Sequence, residues 1–501
     1  MEQTVLPVLK ETYPDATEQE INVVMTDAMD AFEHLRQVTV AERLRLMENI
    51  AHLLKENRDH LTELAAAETN LDPARLRSEL TRTIFQLTSY AAAARRGDVL
   101  DIRIDTGDAN RNPPRPDIRK MMVPLGPVVV FGASNFPFAY STAGGDTASA
   151  LAAGCSVVVK AHPAHVETSR AVAAIISQAV RISGLPDAVF QHVHGESFDV
   201  GRWLVQHPYT KAVGFTGSLT GGKQLHDWAA QRKNPIPVFA EMGSVNPVFV
   251  LPNKLKESPV AIADMISKSV LQSVGQFCTN PGLIILLEGE GYDEFVARLV
   301  SVFHSSEPGT MLHAGVFKLY VENRANAIAQ EGVELLATAE KEPSLNQGSP
   351  TIATVSGEQF IANPVLQQEV FGPWTLLVRC SDPVQLLQVV RTLDGQLTTS
   401  FMATEQDLRE QHALVQAATD SCGRVIFNGV PTGVEVSAAM HHGGPYPATT
   451  DARFTSVGAD AIRRFMRPVA FQNCPQEFLP EALRDDNPLG YWRLVNEGWK
   501  R

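Results

Sequence analysis

The sequence has little of what secreted, membrane-spanning or nucleic-acid-binding proteins require. Its five cysteines are an odd number, widely spaced and without a C-x-x-C pair, which argues against a disulfide framework and against a zinc site. The longest apolar stretch, residues 148–159, is well short of the roughly 18 residues of a membrane-spanning helix. Acidic residues outnumber basic ones, and the formal net charge of −13 argues against general binding to nucleic acid.

The N-terminal segment also lacks a targeting pattern. No basic stretch followed by an apolar one opens the sequence, so this segment does not resemble a secretory signal peptide. The apolar fraction of 44% is that of an ordinary globular protein, and 501 residues are enough for several structural units. We therefore expect a cytoplasmic protein with no membrane or nucleic-acid partner.

Two alternations of strand and helix patterns follow a helical N-terminal region. In the first hundred residues, apolar positions recur every three or four residues, as on one face of a helix. From about Met121, short β-rich runs alternate with helical segments, and a second alternation follows Cys278. Ligand sites of parallel sheets lie at the carboxyl ends of strands and between domains. The sequence therefore predicts an α/β fold with a ligand cleft near Cys278.

Three residues could supply the functions that thiol catalysis requires. Cys278 lies between a glycine turn and a proline turn in GQFCTNPG, Asn135 follows a predicted strand, and Glu241 interrupts an apolar stretch. A thiol nucleophile needs an oxyanion donor, which the Asn135 amide offers, and a base for a second step, which Glu241 offers. We expect a carboxylate in such surroundings to be exposed, paired or raised in pKa, and a raised pKa would suit a general base. Each residue alone is more often structural.

A glycine-rich turn follows the predicted strand that ends at Phe215. Gly217, Ser218 and Gly222 open a helix, and the N–H groups at a helix N-terminus attract phosphate. The turn is not G-x-G-x-x-G, so an ordinary tight turn explains it equally well on its own.

Seven motifs in a fixed order resemble those of the NAD(P)-dependent aldehyde dehydrogenases over nearly the full length. They are NFP at 135–137, VVVK at 157–160, FTGS at 215–218, EMG at 241–243, GQxC at 275–278, EVFGP at 369–373 and FNG at 427–429. The resemblance implies the aldehyde dehydrogenase fold, with a Rossmann-like cofactor domain, an α/β catalytic domain and a small β oligomerisation arm. The implied bounds are 1–107 and 127–241 for the cofactor domain, 242–445 for the catalytic domain, and 108–126 and 446–501 for the arm and C-terminal segment. It also implies a homodimer or homotetramer.

The same resemblance implies a catalytic mechanism. The Cys278 thiolate would attack the aldehyde, and the Asn135 side chain and the Cys278 N–H would hold the oxyanion. Hydride would pass to NAD or NADP, and Glu241 would take a proton from the water that hydrolyses the thioester. The product would be a carboxylic acid.

The resemblance also implies a set of cofactor-binding residues. They are Lys160, His162, Pro163, Gly217, Ser218, Gly222, Glu369 and Phe371. Lys160 would meet the adenosine ribose hydroxyls, and Glu369 and Phe371 would clamp the nicotinamide ribose. Where many relatives carry an acidic residue that repels a 2′-phosphate, this chain has Pro163, which permits NADP and favours it over NAD.

NADP-selective relatives bring an arginine close to the segment that reads GESFDVG here. Phe198 aligns with that arginine, and Arg202 or His162 could replace it. His441 and His442 could be metal ligands, but no third ligand lies at a useful spacing, so we predict a loop without a metal.

Four further segments resemble one branch of the family. They are FGASNFP, KAHPAH, HHGGPYPATT and NPLGYWRLV. That branch contains 2-oxoglutarate-semialdehyde (2,5-dioxopentanoate) dehydrogenases and a long-chain fatty aldehyde dehydrogenase, so we predict 2-oxoglutarate semialdehyde, from sugar-acid or hydroxyproline catabolism, as the substrate. Its carboxylate would need a cation that the sequence does not identify.

Three alternatives to this function stay open. A fatty aldehyde would need an apolar tunnel. An enzyme that transfers the acyl group to coenzyme A would use the same cysteine, but a hydrolytic base at Glu241 disfavours it. A catalytically inactive structural homologue is disfavoured by the intact set of Cys278, Glu241 and Asn135.

Overall fold

The computed structural model describes residues 13–501. Residues 1–12, which include most of the segment compared with a signal peptide and the start of the predicted cofactor domain, lie outside that description. The helices are α1 (Glu18–Leu35), α2 (Val40–Glu56), α3 (Arg58–Thr69), α4 (Pro73–Arg96), α5 (Gly145–Ala153), α6 (Val166–Ile182), α7 (Phe198–Gln206), α8 (Leu219–Ala230), α9 (Pro252–Glu257), α10 (Pro259–Leu271), α11 (Tyr292–Ser305), α12 (Ala314–Ile328), α13 (Gly357–Ala362), α14 (Pro383–Thr392), α15 (Glu405–Glu410) and α16 (His412–Ser421).

The strands build three larger sheets and one small ribbon. They are β1 (Arg103–Asp105), β2 (Ile118–Pro124), β3 (Val128–Phe131), β4 (Val157–Lys160), β5 (Phe190–Val193), β6 (Ala212–Thr216), β7 (Val238–Glu241), β8 (Val248–Val250), β9 (Leu283–Leu287), β10 (Gly309–Thr310), β11 (Glu334–Thr338), β12 (Gln347–Gly348), β13 (Thr351–Ser356), β14 (Trp374–Cys380), β15 (Gln396–Met402), β16 (Cys422–Phe427), β17 (Met466–Gln472), β18 (Arg493–Val495) and β19 (Gly498–Lys500).

The N-terminal helices form where the apolar periodicity predicts them. Helix α2 begins with a capping box, in which the Thr39 side chain accepts from the Glu42 N–H and the Glu42 side chain accepts from the Thr39 N–H. Its Leu44, Met47 and Ile50 side chains are buried against the core.

The first large sheet is parallel throughout, with the strand order β5-β4-β3-β6-β7. Its central strand β3 is a continuous buried apolar run and β4 is one up to Lys160, as expected of a sheet covered on both faces. Lys160 pairs with Phe131 at the carboxyl end, and Glu241 closes β7 at the same edge. The predicted α/β fold with a Rossmann-like sheet is confirmed.

The second large sheet has seven strands in the order β11-β13-β14-β9-β8-β15-β16, and β10 and β12 form a separate ribbon. All neighbours in it are parallel except β11 and β13. Strand β9 is buried along nearly its whole length, and Cys278 lies in the loop that enters it.

The third large sheet, β17-β2-β1-β18-β19, joins residues 103–124 to residues 466–500. Within it the buried Arg119 guanidinium pairs with Asp117 at 2.8 Å and with Asp485 at 2.7 Å. Buried charge is tolerated here because each guanidinium edge has an acceptor.

In residues 13–501, no helix combines the length and the hydrophobicity needed to cross a bilayer.

Candidate active site

The loop that carries Cys278 has a strained entrance. Helix α10 ends in a short turn in which Ser273 and Val274 have positive φ angles of 49° and 59°. Gly275 follows with φ +66°, and a Cβ placed on it would lie 2.1 Å from the Gly372 carbonyl oxygen. Only glycine fits this position, which explains the first letter of GQxC and fixes the Cys278 loop against the EVFGP loop.

Side chains from three segments hold this loop. The Asn246 amide donates to the Cys278 carbonyl at 2.9 Å, and the Gln276 side chain accepts from the Leu312 N–H at 3.0 Å. The Asn135 amide donates to the Gln276 carbonyl at 3.2 Å. The structure therefore brings the predicted oxyanion donor, Asn135, to the loop of the predicted nucleophile.

Arg75, which the sequence did not single out, connects the same two loops. Its Nη2 donates to the Asn135 carbonyl at 2.7 Å. Its guanidinium carbon lies 4.9 Å from the ring centroids of both Phe136 and Phe277, the neighbours of Asn135 and Cys278. No local pattern on α4 could have shown this contact, because it joins residues far apart in sequence.

The predicted base and nucleophile meet at a third residue, His442. The His442 Nε2 lies 2.8 Å from Glu241 Oε1 and 3.7 Å from Cys278 Sγ. The Ser456 hydroxyl donates to the second Glu241 oxygen at 2.6 Å. Glu241 and His442 are 3% and 1% exposed, so they are shielded from solvent, whereas Cys278 is partly exposed.

The surroundings move both pKa values within this cluster. Burial and the negative charge of Glu241 raise the pKa of the Cys278 thiol well above its usual range. Burial also acts to raise the pKa of Glu241, but the interactions with His442 and Ser456 outweigh it and leave that pKa below its ordinary value. The cluster therefore holds a protonated thiol beside an ionised carboxylate.

One expectation needs correction. A raised pKa for Glu241 is wrong, because the structure realises the paired alternative: His442 and Ser456 satisfy the carboxylate. His442 does lie in a loop, but it is buried within that cluster. One potential metal-ligand atom from each of Glu241, Cys278 and His442 lies within 4.8 Å of the other two. The fold therefore gives His442 two neighbours that the sequence spacing did not reveal.

The predicted phosphate turn is exposed at the carboxyl edge of the first sheet. Gly217 and Ser218 are exposed, and the Ser218 side chain caps α8 by accepting from the Gly221 N–H at 3.2 Å. Lys160 lies at the same edge, and burial lowers its pKa. Lys160 forms no ion pair within residues 13–501, so its ammonium group is available to a ribose or phosphate. These features fit a dinucleotide.

Three other predicted cofactor residues lie around this edge and around the Cys278 loop. Gly222 is buried, and its N–H donates within α8; a Cβ on it would lie 2.6 Å from Met242 Sδ, so glycine lets α8 pack on β7. Its predicted contact with the cofactor stays a prediction. Glu369 and Phe371 lie beside Ser244, and burial raises the pKa of Glu369 to about 7.

The residues predicted to bear on recognition of the NADP 2′-phosphate offer it little positive charge. Burial and the neighbouring His165 hold the pKa of His162 well below its usual range, so the ring is neutral. Pro163 opens a short 3₁₀ turn after Lys160. Phe198 is 82% exposed, and Arg202 pairs with Asp199 on its own helix.

Comparison with known proteins agrees with this architecture. The aldehyde dehydrogenase family matches residues 8–467. The alpha-ketoglutaric semialdehyde dehydrogenase of Acinetobacter baylyi is 43% identical over 97% of this chain and 92% of its own length. Alpha-ketoglutaric semialdehyde dehydrogenase 2 of Azospirillum brasilense is 44% identical over 93% of this chain and 89% of its own length.

A solved structure shows the same fold at low identity. Glyceraldehyde-3-phosphate dehydrogenase GapN of Methanocaldococcus jannaschii, complexed with NADP, superposes with a TM-score of 0.77 at 19% identity, over 92% of this chain and 95% of its own. The protein is an oxidoreductase acting on aldehydes, with NAD or NADP as the cofactor of its class. The chain belongs to the aldehyde dehydrogenase family.

Proposed function

We propose that this enzyme oxidises 2-oxoglutarate semialdehyde to 2-oxoglutarate. The observation that carries the reaction is the buried cluster in which Cys278, His442 and Glu241 meet. The substrate is supported by the two relatives that bear this activity in their names and share more than two fifths of their residues with the chain.

The residues of the cluster divide the chemistry among them. Glu241 accepts the thiol proton as Cys278 attacks the aldehyde carbon. His442 Nε2 lies 2.8 Å from Glu241 and 3.7 Å from Cys278 Sγ, and in this proposal it carries the proton and stabilises the charge by donating to them. The Asn135 amide and the Cys278 N–H then hold the oxyanion. NAD or NADP, when bound, supplies the acceptor of the hydride. After the first proton has left to solvent, Glu241 takes a proton from the water that attacks the thioester and returns it to the departing sulfur, which frees the acid and restores the thiol.

The cofactor is NAD or NADP in this proposal, and the absence of an acidic residue at Pro163 supports NADP. Lys160 adds a cation at the ribose end. Asp15 and Glu196, however, act electrostatically on Lys160 from the same edge and offset part of its charge.

The domain division, the oligomeric state and the cytoplasmic location of the sequence analysis belong to the proposal as well. The first sheet falls within residues 128–241 and the second within 248–427. On the third sheet and its flanking segment, Phe478, Trp492 and Trp499 are 72%, 59% and 67% exposed. Such apolar exposure supports a subunit contact in a homodimer or homotetramer.

One assay separates the candidate substrates. Formation of reduced nicotinamide is measured with 2-oxoglutarate semialdehyde, pentanal and dodecanal, each with NAD and with NADP, and the product is identified as free acid or as thioester in the presence of coenzyme A. We expect the highest kcat/KM with the semialdehyde and a free-acid product. A preference for dodecanal would support the fatty aldehyde alternative instead, and an acyl-coenzyme A product would overturn the hydrolytic step.

A further inference from the structure

Two arginines that interact electrostatically with Cys278 form no ion pair with a carboxylate among residues 13–501. Arg82 comes from α4, and Arg424 comes from β16. In the described part of the chain, neither forms an ion pair with a carboxylate, although acidic residues outnumber basic ones in the whole sequence. The interior arginines Arg119 and Arg464 both pair with aspartates, at 2.8 Å and 2.7 Å.

Arg82 is held by neutral groups. Its Nε donates to the Val434 carbonyl and its Nη2 to the Tyr140 hydroxyl, both at 3.3 Å. The guanidinium carbon lies 5.3 Å from the Tyr140 ring centroid. Nη1 forms no hydrogen bond to any residue of 13–501, so one edge of the guanidinium is free.

Arg424 reaches the same loop from the other side. Its Nη2 donates to the Pro431 carbonyl at 2.9 Å and its Nη1 to the Gly433 carbonyl at 3.5 Å. Its Nε is buried without a partner among the described residues. Backbone carbonyls within residues 431–434 therefore accept hydrogen bonds from both guanidinium groups.

The nearest carboxylate to Arg82 does not satisfy it. Glu79 acts on Arg82 electrostatically, but its Oε1 accepts from the Phe138 and Ala139 N–H groups, at 2.8 Å and 2.9 Å. Burial raises the pKa of Glu79, which reduces the charge that it offers. The positive charge of Arg82 thus stays largely uncompensated.

The guanidinium groups of both arginines meet at the adjacent carbonyls of Val434 and Gly433, and both interact electrostatically with Cys278. The Tyr140 ring, which Arg82 contacts, lies 6.2 Å from the His442 ring, and His442 contacts the sulfur. The aldehyde and carboxylate carbons of a five-carbon semialdehyde are about 5 Å apart. The far end of a substrate whose aldehyde meets Cys278 therefore stays near the cluster that His442, Tyr140 and Arg82 connect.

We propose that Arg82 and Arg424 bind the carboxylate at the end of the substrate opposite the aldehyde, and so select a short semialdehyde that carries an anion. This inference rests on the proposed function and supplies the cation that the sequence did not identify. An arginine pair suits this role because guanidinium groups match the geometry of a carboxylate.

The test compares Arg82→Met and Arg424→Met with wild type on 2-oxoglutarate semialdehyde and on pentanal, which has the same chain length without the anion. We expect kcat/KM for the semialdehyde to fall roughly 10- to 100-fold, mainly through KM, with a clearly smaller loss for pentanal. The ratio between the substrates removes any effect on the shared thiol chemistry. Arg82→Lys should recover part of the ratio, and Arg77→Met, an exposed arginine on the same helix, should leave it unchanged.

Equal losses on both substrates would overturn the proposal and give the arginines a purely structural role. A second measurement, competitive inhibition of pentanal oxidation by 2-oxoglutarate, tests the carboxylate site even if 2-oxoglutarate semialdehyde is not the substrate. If wild type oxidises the semialdehyde poorly, the proposed substrate is wrong. The carboxylate site itself is upheld if either variant weakens this inhibition about 10-fold or more, and is overturned if neither does.

Discussion

Two regions of this enzyme bury charged side chains in opposite ways. In the third sheet, Arg119 is surrounded by acceptors, with Asp117 and Asp485 on its two edges and the Leu483 carbonyl beside them. Around Cys278, a thiol and a carboxylate lie together and Arg82 has no carboxylate partner. The fold pairs Arg119 with carboxylates on two sides, whereas it leaves Arg82 with free hydrogen-bonding capacity, as the proposed binding of a substrate carboxylate requires.

The largest expected effect comes from removing the sulfur. Cys278→Ala should abolish aldehyde oxidation, because no other group of the cluster can form the thioester. Activity is measured through reduced nicotinamide, and the melting temperature shows that the variant is folded. Cys474→Ala, on the C-terminal segment, should keep full activity. Residual oxidation by Cys278→Ala would identify a different nucleophile.

Loss of Glu241 should slow the second half of the reaction more than the first. Glu241 also accepts the thiol proton in the first half, but removal of its negative charge favours the Cys278 thiolate and offsets part of that loss. Glu241→Gln should slow hydrolysis of the thioester by roughly 100- to 10,000-fold. Pre-steady-state measurement should then show a burst of reduced nicotinamide close to the enzyme concentration, followed by a slow phase. A variant without a burst would place Glu241 in activation of Cys278 alone. Glu257→Gln, an exposed carboxylate on α9, is the matched control.

Removal of the amide donor should have a smaller effect. Asn135→Asp keeps the shape of the side chain but replaces its N–H donors with acceptors, and we expect the acylation rate to fall about 100-fold. Single-turnover kinetics measure this step directly. An unchanged rate would mean that the oxyanion is held by other groups.

The raised thiol pKa predicts a pH dependence in the unliganded enzyme. Because burial and Glu241 favour the neutral thiol, alkylation of Cys278 by iodoacetamide should be slow at neutral pH and rise steadily as the pH is increased above 9. Mass spectrometry resolves this site from Cys474. Glu241→Gln removes the negative charge beside the sulfur, so it should shift the profile to lower pH. A pH profile that this substitution leaves unchanged would contradict the electrostatic coupling between Glu241 and the Cys278 thiol.

A substitution in the third sheet, where Arg119 is paired, should change the stability of the protein and not its catalysis. Asp117→Asn leaves the buried Arg119 with a weaker acceptor, and we expect the free energy of unfolding to fall by about 2 kcal/mol. Denaturant titration measures that loss. The kcat/KM of the folded enzyme should stay at the wild-type value, and a loss of activity would remove the contrast between the two regions.

Local patterns were sufficient for most of the fold. The apolar periodicity of α2 and the buried runs of β3, β4 and β9 are properties of neighbouring residues, so they could be read without a structure. The ordered motifs likewise identified Cys278, Glu241 and Asn135, because each lies in a segment with unusual glycine or proline neighbours.

Two residues of the site could not be predicted from local sequence patterns. His442 joins Glu241 across about 200 positions of the chain, and Arg75 joins Asn135 across 60. Neither residue has a local pattern that distinguishes it from a loop histidine or a helix-surface arginine.

The sequence by itself determined the order of strands and helices, the family and the three candidate catalytic residues, because these depend on short segments. Only the tertiary structure decided that Glu241 is paired and below its ordinary pKa, and that the thiol is protonated. It also decided which arginines lack a counter-ion. Burial and electrostatic fields depend on which distant segments pack together, and spacing along a chain does not contain that information.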